Sequence, residues 1–86
     1  MPIELTARFV RQYSKLPTAI RRKVDRALML LDSNFRPPGL RSHPVDSAPG
    51  IFEASVGRKY RLTFERHGDT LIMRNVDNHD ECLRNP

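Results

Sequence analysis

The sequence predicts an α+β fold in which an N-terminal helical hairpin packs on a small antiparallel β-sheet. Two observations carry this prediction. Apolar residues recur at helical spacing as far as residue 34, and from Ile51 onward they alternate with polar residues, which is the pattern of half-buried strands. The chain has 86 residues, so we expect a single domain over residues 1–86 with one small core.

The first predicted helix carries its apolar stripe on Phe9, Tyr13 and Leu16. Thr6 is suited to cap its N-terminus, because a threonine hydroxyl can accept a hydrogen bond from a free N–H group of the first turn. A short edge strand over Pro2 to Leu5 is expected to precede this helix.

The second predicted helix starts after Pro17-Thr18 and ends near Asn34. Its apolar stripe is the stronger of the two and consists of Ile20, Val24, Ala27, Leu28 and Leu31. The outer faces of the hairpin carry the basic residues Arg8, Arg11, Lys15, Arg22, Lys23 and Arg26. A helical hairpin with one apolar face needs a sheet to cover that face.

Residues 35–50 contain four of the seven prolines and are expected to form a long, ordered loop. A loop of this length in a compact domain is typically functional when its backbone is stiff. His43 and Arg41 lie within it.

The first two long strands are predicted to form a hairpin with a three-residue loop, Gly57-Arg58-Lys59. This loop length places all the apolar residues on one face, by pairing Phe52 with Phe64, Ala54 with Leu62 and Val56 with Tyr60. The opposite face then carries Glu53 and Ser55 across from Thr63 and Arg61.

A His67-Gly68 turn is predicted to return the chain into a strand from Thr70 to Val76, with Leu71 and Met73 opposite Phe64 and Leu62. This register puts Arg61 across from Arg74. Like charges placed directly opposite each other are destabilising, so the pair favours a bound anion between them. The alternative is two solvated arginines that splay apart and bond to glutamates.

The charge balance favours a polyanion or an acidic protein as partner. Fifteen basic residues against ten acidic ones give +5, and the excess lies within residues 1–50. The single cysteine, Cys82, is expected to be a small buried residue, and neither a signal peptide nor an apolar run of membrane-spanning length is visible. We therefore expect a cytoplasmic protein without membrane contact.

The residues that remain for chemistry are histidines, one glutamate and arginines at the edge of a strand face. No paired metal-ligand spacing, phosphate-binding loop or hydrolase motif occurs, so no metal or cofactor is expected. RNA cleavage needs proton transfer at two oxygens and cations for the phosphorus-bound oxygens. His43, Glu53 and His79 are candidates for the first task, although His79 also suits a cap and His43 also suits loop packing.

The order of these segments resembles the RelE/ParE superfamily of bacterial toxin–antitoxin toxins. The resemblance rests on the helical hairpin, the proline-rich loop, the strand Tyr60-Arg61-Leu62-Thr63-Phe64 and the terminal Asn78-His-Asp-Glu-Cys-Leu-Arg84, and it covers essentially the whole chain. It implies a RelE-like fold, a toxin of a type II toxin–antitoxin pair, and a ribosome-associated, metal-independent endoribonuclease that cleaves mRNA and inhibits translation. It also implies a cognate antitoxin, in a hetero-oligomer that binds operator DNA through the antitoxin.

The resemblance assigns Arg61 to the strand arginine that contacts the scissile phosphate. His43 resembles a catalytic loop histidine of the YafQ branch, and His79 the near-terminal histidine of the YafQ and YoeB branches. Glu53 and Ser55 stand where RelE has two lysines, so a His-based scheme is expected, in which His43, Glu53 and His79 share the acid and base roles. The residues expected to hold the RNA backbone are Arg41, Lys59, Arg74 and Arg84.

Two other functions fit the same resemblance. One is ParE-like poisoning of DNA gyrase, which needs the scaffold without a nuclease site. The other is a non-catalytic module that binds an antitoxin or RNA. The net charge and the His43-Pro44 loop favour the nuclease.

Overall fold

The computed structural model describes residues 2–34, 40–78, 82 and 86. In chain order its helices and strands are β1 (Ile3–Leu5), α1 (Ala7–Ser14), α2 (Thr18–Ser33), β2 (His43–Pro44), β3 (Ile51–Ser55), β4 (Tyr60–His67) and β5 (Thr70–Asn78). The strands form one sheet in the order β1-β5-β4-β3-β2. The α+β class is confirmed, but the sheet is mixed rather than wholly antiparallel, because β1 runs parallel to β5.

The core lies between the two helices and one face of the sheet. From the helices it receives Phe9, Val24, Ala27 and Leu31, which are almost completely buried, as their helical spacing predicts. From the sheet it receives Ala54, Val56, Leu62, Phe64, Leu71, Met73 and Val76. Within the part of the chain that the structure describes, neither helix is long and apolar enough to cross a membrane.

Thr6 caps helix α1, as predicted. Its Oγ1 accepts a hydrogen bond from the Phe9 N–H at 3.1 Å and donates one to the Arg74 carbonyl at 3.3 Å. Its own N–H donates to the Met73 carbonyl at 3.2 Å. One residue therefore both starts the helix and fastens it to β5.

Two further side chains of α1 make polar contacts that orient the helix. Gln12 Oε1 accepts a hydrogen bond from the Val76 N–H at 2.9 Å, which satisfies a backbone group on β5 beyond the end of β1. The Tyr13 hydroxyl donates to Asp25 Oδ1 at 2.6 Å, and this hydrogen bond raises the pKa of Tyr13 above its ordinary value. The second contact joins α1 to α2.

The β3–β4 hairpin has the predicted register. Phe52 lies opposite Phe64 and Ala54 opposite Leu62, and the two phenylalanine rings stack with their centroids 5.9 Å apart. The Val56 N–H donates to the Tyr60 carbonyl at 3.1 Å, which closes the three-residue loop. Gly57 opens this loop with a φ of 91°, a conformation that side chains with a Cβ rarely adopt.

The predicted β4–β5 register is wrong. Arg61 lies opposite Asp77 rather than Arg74, and Leu62 and Phe64 lie opposite Val76 and Met73. The register shifts by one residue between Thr63 and Phe64, so Arg74 is the additional residue of a β-bulge. The turn also lies one residue later than predicted, at Gly68 and Asp69, because β4 continues to His67.

The segment predicted as a long loop contains a short strand. His43 and Pro44 form β2, in which His43 lies opposite Glu53 and Pro44 opposite Phe52. The Val45 N–H continues the pairing by donating to the Ile51 carbonyl at 2.8 Å. This part of the loop is therefore ordered by the edge of β3, whereas residues 35–39 lie outside the described residues.

Replacing the capping threonine should weaken the fold measurably. Thr6→Ala removes an N-cap and the contact to β5, so the free energy of unfolding should fall by about 1 kcal/mol or more. Urea unfolding followed by circular dichroism measures this loss. Thr6→Ser keeps the hydroxyl and should retain most of the stability; an equal loss in both variants would contradict the capping role.

Candidate functional site

The outer face of the sheet, meaning the surface turned away from the helices, carries the polar residues of the strands. Directly opposed positions form two adjacent rows across it. The first row consists of His43, Glu53, Thr63 and Asn75, and the second of Ser55, Arg61 and Asp77. Because opposed side chains of neighbouring strands lie about 5 Å apart at Cβ, each row is a continuous strip of functional groups.

Three arginines converge on one cleft at the end of the second row. This arginine cleft has a volume of about 470 Å³ and is lined by Arg41, Ser55, Gly57, Arg58 and Arg61. Within residues 2–34, 40–78, 82 and 86, no carboxylate forms an ion pair with any of the three arginines. Guanidinium groups that share a cleft without a carboxylate are suited to bind a phosphate or another oxyanion.

Arg61 is held at its base and leaves donors for a ligand. Its Nη1 donates to the carbonyls of Tyr60 at 2.8 Å and Gly57 at 3.3 Å. Asp77, which lies opposite on β5, accepts instead from the Asn78 N–H at 2.8 Å. The Nε and Nη2 groups of Arg61 therefore have no hydrogen-bond partner among the described residues.

His43 and Glu53 form a close pair at the edge of the first row. His43 Nε2 lies 2.9 Å from Glu53 Oε1, and His43 Nδ1 lies 2.9 Å from the Arg41 carbonyl oxygen. A carbonyl oxygen only accepts, so the contact with Arg41 is a hydrogen bond in which Nδ1 donates, and Nε2 is the nitrogen that faces Glu53 Oε1. This arrangement can give or take a proton at a substrate.

The two members of the pair differ strongly in exposure. The His43 side chain is 56% exposed, whereas that of Glu53 is 8% exposed. Glu53 Oε2 is fully buried and has no hydrogen-bond partner among the described residues. Burial deprives the Glu53 carboxylate of its hydrogen bonds to water, which is unfavourable for an isolated carboxylate. The contact with His43 replaces much of this lost stabilisation.

Cys82 and Pro86 contact the middle of the outer face. The carbonyl oxygen of Pro86 accepts hydrogen bonds from Thr63 Oγ1 at 3.0 Å and Arg74 Nε at 3.1 Å. Asn75 Nδ2 donates to the Cys82 carbonyl at 3.2 Å, and Cys82 Sγ donates to the Arg61 carbonyl at 3.3 Å. These contacts explain why Thr63 and Asn75 are completely buried on the face that α1 and α2 do not cover.

Arg74 does not lie opposite Arg61 and does not provide a second positive charge beside it. Its Nη1 lies 3.4 Å from Glu65 Oε2, and its Nε is bonded to Pro86. The bulge turns both Arg74 and Asn75 toward the outer face and moves Arg74 away from Arg61. The expected pair of facing arginines is therefore absent, and a different set supplies the positive charge.

The comparisons with known proteins identify this arrangement of strands and helices. No protein-family model matches the sequence, and no curated protein sequence matches it either. Solved structures do match. YafQ from E. coli strain BL21(DE3) superposes with a TM-score of 0.78 at 19% identity, over 92% of this chain and 93% of YafQ.

Two other solved structures agree equally well. The RelB–RelE antitoxin–toxin complex from Methanococcus jannaschii contains a chain with a TM-score of 0.78 at 20% identity, over 91% of this chain and 92% of that one. The YoeB/ParE toxin from Agrobacterium tumefaciens gives a TM-score of 0.78 at 12% identity, over 92% of this chain and 99% of that one. The chain has the RelE-like toxin fold. The fold that the sequence resemblance implies is thus confirmed.

Within this RelE-like fold, the candidate site combines predicted and unpredicted residues. Arg61, Arg41, His43 and Glu53 lie together at one end of the outer face. Lys59 is exposed in the neighbouring hairpin loop. The candidates His79 and Arg84 lie outside the described residues.

Arg58 is the cleft residue that the sequence reasoning missed. It occupies the middle of the Gly57-Arg58-Lys59 loop and lines the arginine cleft. The length of this loop was predicted correctly. The sequence signal for the role of Arg58 was its position as a basic residue in a short loop just before β4, close to Arg61. In the described part of this RelE-like fold, no group of three or more His, Cys, Asp or Glu side chains is placed to hold a metal ion.

Cys82 should be chemically inert in the folded protein. Burial raises the pKa of its thiol to about 12, so the thiolate that reacts with disulfide reagents is scarce. We expect the reaction with a chromogenic disulfide near neutral pH to be at least ~100-fold slower in the native protein than in concentrated guanidinium chloride. Equal rates in the two solutions would contradict the burial of Cys82 against β4.

Proposed function

We propose that this protein is the toxin of a type II toxin–antitoxin pair and acts as a ribosome-associated, metal-independent endoribonuclease on mRNA. One observation carries the proposal: the cleft formed by Arg41, Arg58 and Arg61 lies beside the His43–Glu53 pair on an outer face of a RelE-like sheet. Such a site brings phosphate-binding cations and proton-transfer groups together. The fold supports the toxin assignment, and the site supports the nuclease.

The proposed reaction uses the RNA as its own nucleophile. The 2′-hydroxyl loses a proton and attacks the adjacent phosphorus, and the 5′-oxygen of the next nucleotide leaves with a proton. The products are a 2′,3′-cyclic phosphate and a 5′-hydroxyl end. Enzymatic groups must therefore accept one proton, donate another and stabilise the additional negative charge on the phosphoryl oxygens.

The residues divide between these tasks. Arg61, with Arg41 and Arg58, stabilises the charge on the phosphoryl oxygens, because donors that are fixed before the reaction lower the barrier most. His43 with Glu53, together with His79, carries the two proton transfers. Lys59, Arg74 and Arg84 are proposed to contact the RNA backbone without reading its sequence.

A cognate antitoxin is the proposed protein partner. The structure from Methanococcus jannaschii is an antitoxin–toxin complex with a chain of this fold. The net charge of +5 suits an acidic partner that folds on contact with the toxin. Binding of that partner to the arginine cleft or its rim would neutralise the proposed activity.

The experiment that tests the proposal is induction of the chain in bacteria, followed by mapping of mRNA 5′ ends. New ends at positions in phase with codons, together with arrested protein synthesis, are expected. Growth arrest without new mRNA ends, with cleaved plasmid trapped by gyrase, would instead support a gyrase poison. Absence of arrest would support a non-catalytic module.

Arg61→Ala should abolish the mapped cleavage while leaving the fold intact. Among the described residues its guanidinium donates only to the backbone carbonyls of Gly57 and Tyr60, and loss of one preorganised charge-stabilising group typically lowers a rate by about 10²–10³-fold. The rate of cleavage in a translating extract measures the effect.

Arg66→Ala is the matched control, since it removes one guanidinium from an exposed position near the far end of the same strand. It should change the rate by less than ~10-fold. An active Arg61→Ala protein would remove the centre of the proposed site.

His43→Ala should lower the cleavage rate by about 10²–10⁴-fold, as expected for loss of a proton-transfer group. His67→Ala is a close control, because His67 Nε2 also contacts a glutamate, Glu65, at 3.2 Å, but lies at the far end of β4. It should retain nearly full activity. If His43 is the principal base, His79→Ala costs less than His43→Ala, and equal losses in the His43 and His67 variants would contradict the assignment.

A further inference from the structure

The segment that leads into β2 leaves the regular ladder at Arg41. His43 lies opposite Glu53. If the antiparallel ladder continued regularly for two more residues, Arg41 would lie opposite Ser55, and the Ser55 N–H would donate to the Arg41 carbonyl. The Ser55 N–H donates instead to the carbonyl of Leu40, at 2.9 Å. One additional residue therefore lies on this side of the ladder, which is the definition of a β-bulge.

The bulge gives Arg41 an unusual backbone conformation and frees its carbonyl from pairing with β3. Its φ is 54°, and among the described residues it is the sole non-glycine residue with a positive φ. A Cβ is sterically disfavoured in this region, where glycine would be accommodated without strain. The carbonyl that the ladder no longer uses accepts a hydrogen bond from His43 Nδ1 at 2.9 Å.

The side chain of the same residue points to the other half of the site. Arg41 lines the arginine cleft with Arg58 and Arg61. A glycine at this position would keep the bulge and the bond to His43 but would contribute no cation to the cleft. Backbone strain that is kept at such a position is a reason to look for a function of the side chain.

We propose that Arg41 has two separate roles: its carbonyl positions His43, and its guanidinium binds a phosphate of the RNA. This inference rests on the proposed function and specifies it further. Because Nδ1 is fixed as a donor to Arg41, Nε2 is the nitrogen of His43 that exchanges a proton, with Glu53 Oε1 at 2.9 Å as its partner. Phosphate binding and proton transfer are thus joined through one residue.

Two substitutions separate the roles, because both remove the guanidinium and they differ in backbone preference. Arg41→Gly fits the positive φ and should keep the carbonyl in place. Arg41→Val disfavours that φ, since a β-branched side chain clashes there, and should displace the carbonyl from His43. Circular dichroism and thermal unfolding establish that each variant is folded.

The binding measurement uses a short 2′-O-methyl oligoribonucleotide, which cannot be cleaved because its 2′-oxygen is blocked. Both variants should bind it about 5–10-fold more weakly than the wild type, with a smaller dependence on salt concentration. Binding equal to that of the wild type in both variants would overturn the phosphate role of the Arg41 side chain.

The positioning role is read from the ¹⁵N and ¹H resonances of the His43 imidazole. The wild type and Arg41→Gly should show a protonated, slowly exchanging Nδ1, and Arg41→Val should lose this signal. In cleavage assays both variants should be slower than the wild type, since both lose the Arg41 guanidinium. Arg41→Val should lower kcat at least ~10-fold below that of Arg41→Gly, because it also loses the positioning of His43. A wild-type His43 without a protected Nδ1 proton would overturn the positioning role even if Arg41→Val fails to fold.

These outcomes are distinguishable from failure of the proposed function. If the wild type cleaves no RNA, the nuclease assignment is wrong, while the imidazole resonances and oligonucleotide binding still decide both roles of Arg41. If the wild type cleaves RNA and the glycine and valine variants behave identically in every assay, the nuclease assignment stands and the positioning role is wrong.

Discussion

The face of the five-stranded sheet that α1 and α2 leave uncovered must satisfy its polar groups by other means, and the rest of this structure depends on how it does so. The described residues place polar side chains on that side and pair them with one another or with Cys82 and Pro86. Thr63 and Asn75 are completely buried there because the carbonyl of Pro86 and that of Cys82 accept their hydrogen bonds. The consequence is a surface on which charged groups are ordered and partly desolvated, which are the conditions that strengthen electrostatic interactions with a ligand.

The sequence predicts the β3–β4 register correctly and the β4–β5 register wrongly, and the difference has a physical reason. In the β3–β4 hairpin, strict alternation and a three-residue loop leave one register that keeps Ala54 and Leu62 on the same buried face. In β5 the alternation is broken, because Met73 and Val76 both face the core although they are three positions apart. This three-residue spacing is present in the sequence and marks the bulge at Arg74. A regular β5 without the bulge would place Arg74 opposite Arg61, which is the pairing wrongly predicted from the sequence.

In the candidate site, too, sequence periodicity predicts some of the residues but not the cleft that they form. The alternation of polar and apolar residues is sufficient to predict that Glu53 and Arg61 lie on the outer face. The proline-rich segment marks His43 as a candidate, although its pairing with β3 has no sequence signal. The cleft itself was not predictable, since it depends on the left-handed backbone of Arg41. Residues at that conformation are usually glycine, so an arginine gives no sequence signal. A bulge before a two-residue strand leaves no periodicity to read.

The parallel pairing of β1 with β5 joins the first and last strands that the structure describes. Ile3 lies opposite Leu71, and Thr6 and Gln12 bond to the backbone of β5 between Met73 and Val76. Contacts across so much of the sequence slow folding, because the intervening chain must be ordered before they form. During synthesis, the apolar faces of α1 and α2 can be fully covered only after β5 has emerged. The central strand that carries Arg61 acquires its neighbour β5 only then, so assembly of this surface is coupled to synthesis of β5.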